Sequence, residues 1–297
     1  MKPIDTNDAV QSSSPETYLY VRSQNEEERK RLNKQYNFMK HQFREGRLVH
    51  DPSLVLSPDV SILDVGVGTG AWLLDMAKVL PSTANLYGVD ISLDLVPDVV
   101  GYFPNLHLSQ HPVTSLPAEW TNKFDLVNQS LLFLGLTKDA WPKALSELFR
   151  VLKPGGRLQL LEASIEHWHA RPGSADHKME CMGRRLYKKH SLFEDLSSKM
   201  SPLLSAVGFR EVTVDLKGIP VGPEAGNAGR EGSETLSLAM SQLKGIVMQY
   251  SGLGVVGSEE EFDHIVCEQK REWDEGVNTL GLTYFISCAR KPRSSKL

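Results

Sequence analysis

A glycine-rich segment, Asp64-Val-Gly66-Val-Gly68-Thr-Gly70, follows the apolar run VSILDVG and opens the helix-forming run GAWLLDMAKVLP. Glycine at these positions permits a tight strand-to-helix turn and close approach of a ligand to the backbone. The free amides at the start of the following helix favour an anionic group, such as a phosphate or a carboxylate. The segment therefore predicts a strand–turn–helix unit with a ligand at its turn, as found in open α/β sheets.

Strand and helix signals alternate along the chain. Short apolar runs typical of buried strands are NLYGVD, LHLS, FDLVNQ and RLQLLEA, and two later apparent strands are FREVTVDLKGIPV and LTYFISCARKP. Helical periodicity covers Trp141 to Leu152, with Asp139 as its cap. It returns from Leu236 to Tyr250, behind a glycine-rich loop expected from Gly222 to Gly232. This alternation predicts an α/β fold with right-handed crossovers.

The length of 297 residues corresponds to one or two domains. We predict a flexible N-terminus over residues 1–17, an N-terminal helical cap over 18–59, a cofactor-binding α/β core over 60–163, and a C-terminal part of the core over 164–297. Helices over about 175–207 and 233–276 are expected to form a lid over the substrate.

Charge and composition exclude several classes of protein. A net charge of −4 argues against a nucleic-acid partner, and no apolar run reaches the roughly eighteen residues of a membrane span. The start of the chain lacks the apolar core of a secretory signal. Its three scattered cysteines favour a reducing compartment over a disulfide scaffold or a thiolate metal site.

Asp90 lies at the end of the second strand, where a carboxylate can accept hydrogen bonds from both hydroxyls of a ribose. The glycine spacing is G-x-G-x-G with Ala71 next, whereas a dinucleotide fingerprint runs G-x-G-x-x-G and tolerates alanine last. Spacing alone thus leaves a nicotinamide-dependent dehydrogenase open as an alternative.

Four segments in order, ILDVGVGTGAW, LYGVDIS, FDLVNQS and FRVLKPGGRLQLLE, resemble the motifs of class I S-adenosylmethionine-dependent methyltransferases over residues 60–163. The segment YVRSQNEEERKRLNKQY and Trp72 are similar to the LaeA-like fungal methyltransferases, with matches at Tyr20, Glu28, Arg31, Leu32 and Gln35. The resemblance implies a Rossmann-like seven-stranded sheet with an antiparallel last strand, a helical lid, and S-adenosylmethionine as cofactor.

The same resemblance implies roles for single residues. Gly66, Gly68 and Gly70 would hold the methionine end of the cofactor, Asp90 its ribose, and Ile91 its adenine. Val113 is expected to offer a backbone contact, and Asn128 and Gln129 to border the methionine amine. The predicted cofactor-binding residues are Tyr20, Asp64, Gly66, Val67, Gly68, Gly70, Asp90, Ile91, Val113, Asn128 and Gln129.

Candidate general bases follow the fifth strand, where ligand crevices of open α/β sheets lie. They are Glu162, His167, His169 and His177. For each histidine the plainer interpretation is a solvated side chain, and for Glu162 an ion pair. His167-x-His169 has no Asp or Cys partner close by, so no metal is predicted.

These observations predict methyl transfer to a small, fairly apolar molecule, a fungal secondary metabolite, with oxygen or nitrogen favoured as acceptor. The alternative is a LaeA-like regulator of secondary metabolism that acts through protein complexes. The tripeptide Ser295-Lys296-Leu297 has the form of a peroxisomal address and predicts an import receptor as partner. Without that address the expected location is the cytoplasm.

Overall fold

The structure is a computed structural model that describes residues 26–52, 54–276 and 282–293. Tyr20, the stretch predicted over residues 1–17, and Ser295-Lys296-Leu297 lie outside the described residues and stay predictions. The described part of the chain forms one seven-stranded sheet with helices on both faces.

The strands are β1 (Ser61–Val65), β2 (Asn85–Asp90), β3 (Leu106–Gln110), β4 (Phe124–Ser130), β5 (Leu152–Ser164), β6 (Arg210–Gly218) and β7 (Thr283–Arg290). Their order across the sheet is β3-β2-β1-β4-β5-β7-β6. Strands β1 to β5 pair in parallel, whereas β7 runs antiparallel to both β5 and β6. The predicted α/β class and the antiparallel last strand are confirmed.

The helices are α1 (Glu26–Arg44), α2 (Ala71–Val79), α3 (Ala140–Val151), α4 (Ala175–Lys189), α5 (Leu196–Val207), α6 (Gly226–Ser241), α7 (Lys244–Gln249) and α8 (Glu259–Asp274). Within the described residues, none of them is both long enough and apolar enough to cross a bilayer.

Helix α5 belongs to the sheet and not to the predicted lid. Leu196, Met200 and Leu204 recur every fourth residue and are buried in the same apolar cluster as Trp141 and Leu148 of α3. Full burial of one such side chain stabilises the fold by about 1.5–3 kcal/mol. The lid prediction over 175–207 is therefore wrong for α5, and for α4 it stays a prediction.

Helices α4 and α8 pack together as one cover above the carboxyl ends of the central strands. Glu272 of α8 accepts hydrogen bonds from the amides of Ala175 (2.7 Å) and Asp176 (3.0 Å), the first residues of α4. Gln269 of α8 donates to the Asp176 carboxylate at 2.7 Å. A carboxylate at this helix start is favoured by the helix dipole, so α8 holds α4 in place.

The prediction of a glycine-rich loop from Gly222 to Gly232 is wrong over most of this range, because α6 begins at Gly226. A Cβ added to Gly229 would lie 1.9 Å from the Gly222 carbonyl oxygen, and one on Gly232 would lie 1.9 Å from that of Pro220. These glycines allow a helix to pack directly on backbone. The apolar face from Leu236 to Tyr250 is likewise divided between α6 and α7.

The cap expected from Asp139 is also wrong. Asp139 precedes α3, but its side chain makes no capping hydrogen bond. The Thr137 hydroxyl accepts the bond from the Ala140 amide at 3.2 Å instead. A threonine oxygen can satisfy an amide in a first helical turn as an aspartate would.

Candidate functional site

The glycine segment forms the turn between β1 and α2, and backbone hydrogen bonds fix it to β2. The amides of Gly66 and Val67 donate to the Val89 carbonyl at 2.8 and 3.0 Å. The Gly68 amide donates to the Asp90 carboxylate at 2.9 Å. The two parts of the sequence motif thus meet directly, and Asp90 orients the turn that would receive a ligand.

Gly66 needs to be glycine for two reasons. Its φ of +69° lies in the left-handed region, as do those of Gly68 (+55°) and Gly70 (+75°). A Cβ at Gly66 would also lie 2.8 Å from Cδ2 of Leu132, in the turn after β4. A side chain at position 66 would therefore force the Leu132 side chain to move.

Asp90, Ile91 and Val113 come together beside the glycine turn. Asp90 is buried, and its carboxylate also accepts from the Ser92 amide at 3.3 Å. The His111 amide donates to the Asp90 carbonyl at 3.0 Å, which places the segment of Val113 next to the end of β2. The positions suit the predicted ribose and adenine contacts, which stay predictions.

A row of buried polar side chains crosses the sheet below the turn. Asp64, Asn128 and Gln159 are neighbours in register on β1, β4 and β5. Asn128 donates to Asp64 at 2.7 Å, and Gln159 donates to Asn128 at 2.8 Å. The backbone amide of His50 donates to Gln159 at 2.7 Å, so the segment after α1 is tied to the row. Burial raises the pKa of Asp64 to about 7.

Gln159 was missed by the sequence interpretation, although a glutamine within the apolar run RLQLLEA was a signal for a buried polar contact. Gln129 takes a different place from the one predicted. It points to the face opposite Asn128, where it bonds Glu162 and does not line the cavity described next. Successive strand residues face opposite sides, so only one of the adjacent pair could border the ligand.

A cavity of about 220 Å³ opens between the carboxyl ends of the strands and helices α1, α4 and α6. Its polar end contains Asp64, Gly66, Gly68, Asn128 and Arg44. Its apolar end is lined by Leu131, Phe133, Leu134, Ile165, Trp168, Leu186, Tyr187, Met240, Leu243, Leu282 and Tyr284. The two ends are continuous, so a ligand on the glycine turn would face an apolar chamber.

Helix α1 closes the polar end by docking on α2. Tyr36 and Lys40 both donate to the Asp75 carboxylate, at 2.9 and 2.8 Å. Thr69, within the glycine turn, donates to Asn33 of α1 at 2.6 Å. These polar contacts hold one wall of the cavity against the glycine turn.

Arg44, at the end of α1, brings a buried cation to the polar end. It is 3% exposed and lines the cavity, and its Nε and Nη2 atoms have no hydrogen-bond partner among the described residues. Burial lowers the pKa of this guanidinium, while the nearby Asp64 opposes that effect. Unsatisfied buried donors are costly, so an anionic ligand group would stabilise this end. Nothing in the sequence singles out Arg44 from the other basic residues of α1.

The structure contradicts the predicted general bases. His167 has 52% of its side chain exposed, His169 is exposed, and His177 lies beside Glu180; none of the three lines the cavity. Glu162 is fully buried behind the cavity wall and does not line it either. In the described part of the chain, no group of three or more His, Cys, Asp or Glu side chains could hold a metal ion.

Comparisons with known proteins agree with this architecture. A family model described as a methyltransferase domain matches residues 62–156. The N-methyltransferase sirN of Leptosphaeria maculans is 28% identical over 97% of this chain and 98% of its own length. The secondary metabolism regulator laeA of Coprinopsis cinerea is 33% identical, but over only 34% of this chain and 24% of its own.

Among solved structures, the fold is similar to that of phosphoethanolamine N-methyltransferase 2 of Haemonchus contortus in complex with S-adenosyl-L-methionine. The TM-score is 0.53 at 14% identity, covering 88% of this chain and 53% of that one, so the present chain spans about half its length. With a methyltransferase-domain match that includes the glycine turn, a nearly full-length methyltransferase relative and a shared fold, the dehydrogenase alternative falls away. The chain is therefore an S-adenosylmethionine-dependent methyltransferase, and its residues 62–156 carry the methyltransferase domain.

Proposed function

We propose that this enzyme methylates a nitrogen atom of a small, largely apolar metabolite of fungal secondary metabolism. The observation that carries the proposal is the continuity of the cavity, whose polar end at the glycine turn opens into an apolar chamber. The near full-length likeness to a fungal N-methyltransferase supports nitrogen as the acceptor.

The residues at the polar end fit S-adenosylmethionine. The glycine turn leaves room for backbone approach, and Asp90 can take the ribose hydroxyls. The Nε and Nη2 atoms of Arg44, which have no hydrogen-bond partner among the described residues, suit the α-carboxylate. When bound, the cofactor supplies a methyl group attached to a sulfonium sulfur. This methyl group is readily transferred because the leaving group is a neutral thioether. The protein then has to orient the acceptor at about 3 Å from that methyl group and to exclude water.

The apolar end performs both tasks through shape. Trp168, Tyr187 and Tyr284 provide flat walls from three different parts of the chain, and Met240 adds an adaptable surface from α6. Such a lining favours an aromatic or aliphatic molecule of modest size over a strongly charged one.

The described lining also favours an acceptor that needs no deprotonation. Its carboxylates are already engaged, Asp64 with Asn128 and Glu28 with Arg31. A neutral amine presents its lone pair directly, whereas a hydroxyl gains from a general base.

Matched acceptor pairs test the proposal. Aromatic compounds identical except for a secondary amine or a hydroxyl are incubated with cofactor carrying a labelled methyl group, and the products are located by mass spectrometry. We expect label on nitrogen. Label only on oxygen would overturn the choice of acceptor, and failure to bind S-adenosylhomocysteine in calorimetry would overturn the proposal altogether.

A regulatory role like that of laeA is the less supported alternative, because that likeness covers a third of the chain and the cavity described above has the form of a substrate site.

We also propose import into peroxisomes through the import receptor, supported by Ser295-Lys296-Leu297. A fluorescent protein fused before Met1 leaves the Leu297 carboxylate free and should give punctate fluorescence in a host with working import. Truncation of the tripeptide should make the fusion diffuse. Diffuse fluorescence of both fusions would contradict the proposal.

A further inference from the structure

Glu162 lies at the edge of the site without entering it. It is fully buried on β5, between Leu161 and Ala163, which pack with the apolar residues of the cavity. Leu160 packs in the cluster on the opposite face of the sheet. Because strand residues alternate, Glu162 points to that opposite face, behind the cavity wall.

Its carboxylate holds the turn that follows β4. One oxygen accepts from the Gln129 side-chain amide at 2.9 Å, and the other accepts from the Phe133 backbone amide at 2.9 Å. We call residues 130–135 the β4 turn: Gln129 directly precedes it and Phe133 lies within it, and every residue of this turn lines the cavity. A buried carboxylate thus spans the base of a cavity wall.

The β4 turn adopts a conformation that needs such support. Leu131 has a φ of +60°, which costs an L-residue other than glycine about 1–2 kcal/mol. Its amide donates to the Leu161 carbonyl at 2.8 Å. Leu132 packs against Gly66 in the glycine turn, while Phe133 faces the apolar end. The β4 turn therefore lies between the glycine turn and the apolar end and lines the cavity at both.

We propose that Glu162 is a positioning residue for methyl transfer, which holds the β4 turn so that its leucines and Phe133 set the distance between cofactor and acceptor. The inference rests on the methyl transfer proposed above. Glu162 contacts neither reactant, so its shape and hydrogen bonds matter and its basicity does not.

The neighbourhood makes this distinction testable. The Gln129 Oε1 atom has no hydrogen-bond partner among the described residues. A glutamine at position 162 can accept from the Phe133 amide and, after reversal of the Gln129 amide, donate to that free oxygen. Burial also raises the pKa of Glu162 to about 8, so a neutral carboxyl group can make the same two bonds. Glu162→Gln should therefore preserve the turn, whereas Glu162→Leu removes both bonds.

The experiment compares these two variants by steady-state kinetics and by hydrogen exchange of the peptide over residues 130–135. We expect Glu162→Gln to keep kcat within about 3-fold and Glu162→Leu to lower kcat by at least about 30-fold, with the acceptor KM within about 3-fold. Exchange in the β4 turn should be about 10-fold faster in Glu162→Leu and unchanged in Glu162→Gln.

Equal loss of kcat in both variants would overturn the inference, because a carboxylate would then be required as such. Full activity of Glu162→Leu would overturn it as well. If Glu162→Leu does not fold, Gln129→Met removes one of the two bonds and should lower kcat by about 10-fold, and an unchanged kcat would refute the inference. Hydrogen exchange needs no acceptor, so failure of the proposed acceptor chemistry is distinguished from failure of this inference.

Discussion

The two ends of the cavity are built in different ways. The polar end centres on the glycine turn, a run of consecutive residues whose backbone is fixed to the end of β2, and Asn128 and Arg44 add side chains to it. The apolar end is made of side chains from the β4 turn, the segment after β5, α4, α6 and β7, which range from Leu131 to Tyr284. Recognition of the cofactor is thus encoded locally, whereas recognition of the acceptor is encoded by long-range packing. Five measurements can break or sharpen this contrast.

The largest effect is expected at the backbone-built end. Gly66→Val adds a branched side chain at a φ of +69° and against Leu132, so S-adenosylhomocysteine affinity should fall at least about 1,000-fold in calorimetry. Gly173→Val is the matched control, because Gly173 has a φ of +85° but no atom near its added Cβ. A similar loss in both variants would show that backbone strain alone is responsible.

Glu162, which holds the β4 turn between the two ends, should make the stability of the protein depend on pH. Burial raises the pKa of Glu162 from 4.5 to about 8, so the folded state favours the protonated group. This contribution is fully present below the unfolded pKa and is lost as the pH rises to about 8. As the pH rises from 4.5 to about 8, the free energy of unfolding of the wild type should fall by a few kcal/mol relative to that of Glu162→Gln. The size follows because one pKa unit corresponds to about 1.4 kcal/mol. Urea unfolding across this pH interval measures it, and a constant difference would contradict the assignment.

Arg44 tests whether one side chain completes the polar end. Arg44→Met should weaken S-adenosylhomocysteine binding about 30-fold or more, because a buried anion would lose its partner. Binding of 5′-methylthioadenosine, which lacks the amino-acid end, should be nearly unchanged. Arg47→Met, at an exposed position just beyond α1, is the control. Equal losses for the two ligands would refute a carboxylate contact.

The side-chain-built end should respond in acceptor KM alone. Met240→Trp fills part of the apolar end and should raise the acceptor KM about 10-fold, with S-adenosylhomocysteine affinity unchanged. Leu238 lies on the same helix but is 37% exposed, against 6% for Met240. The control variant Leu238→Trp should therefore leave the acceptor KM and the S-adenosylhomocysteine affinity unchanged. A change in cofactor affinity in Met240→Trp would mean that the two ends are not separable.

The smallest effect is expected for the exposed histidines. His167→Ala and His169→Ala should leave kcat within about 2-fold across the pH range, because neither side chain lines the cavity. Loss of an alkaline or acidic limb of the rate profile in either variant would restore a role in proton transfer.

The same contrast explains which features could be predicted from sequence. The glycine turn, Asp90 and strands β1 to β5 were predictable because each depends on a few consecutive residues. Gln159 acts through a partner on a neighbouring strand that is distant in sequence, and Arg44 is distinguished only by its burial beside Asp64, so no short pattern marks either residue.

The incorrect sequence predictions have two causes, the alternation of strand residues between the two faces of the sheet and the packing of helices on backbone. Position at the end of β5 suggested Glu162 as a base, but the alternation of the strand turns it behind the cavity wall. Gly229 and Gly232 resemble loop residues in sequence, whereas in the fold they let α6 lie on backbone. A glycine required for close packing and a glycine required for a turn look alike until the partner is known.

Helices α6, α7 and α8 lie in one uninterrupted stretch between β6 and β7, and Met240 and Leu243 of this stretch reach the apolar end. The strands that carry the glycine turn and Asp90 precede it entirely. Exchange of a gene segment encoding this stretch between relatives would leave the sequence of the glycine turn and Asp90 unchanged. Such an exchange would alter the part of the apolar end that Met240 and Leu243 form, whereas Trp168, Tyr187 and Tyr284 would stay in place.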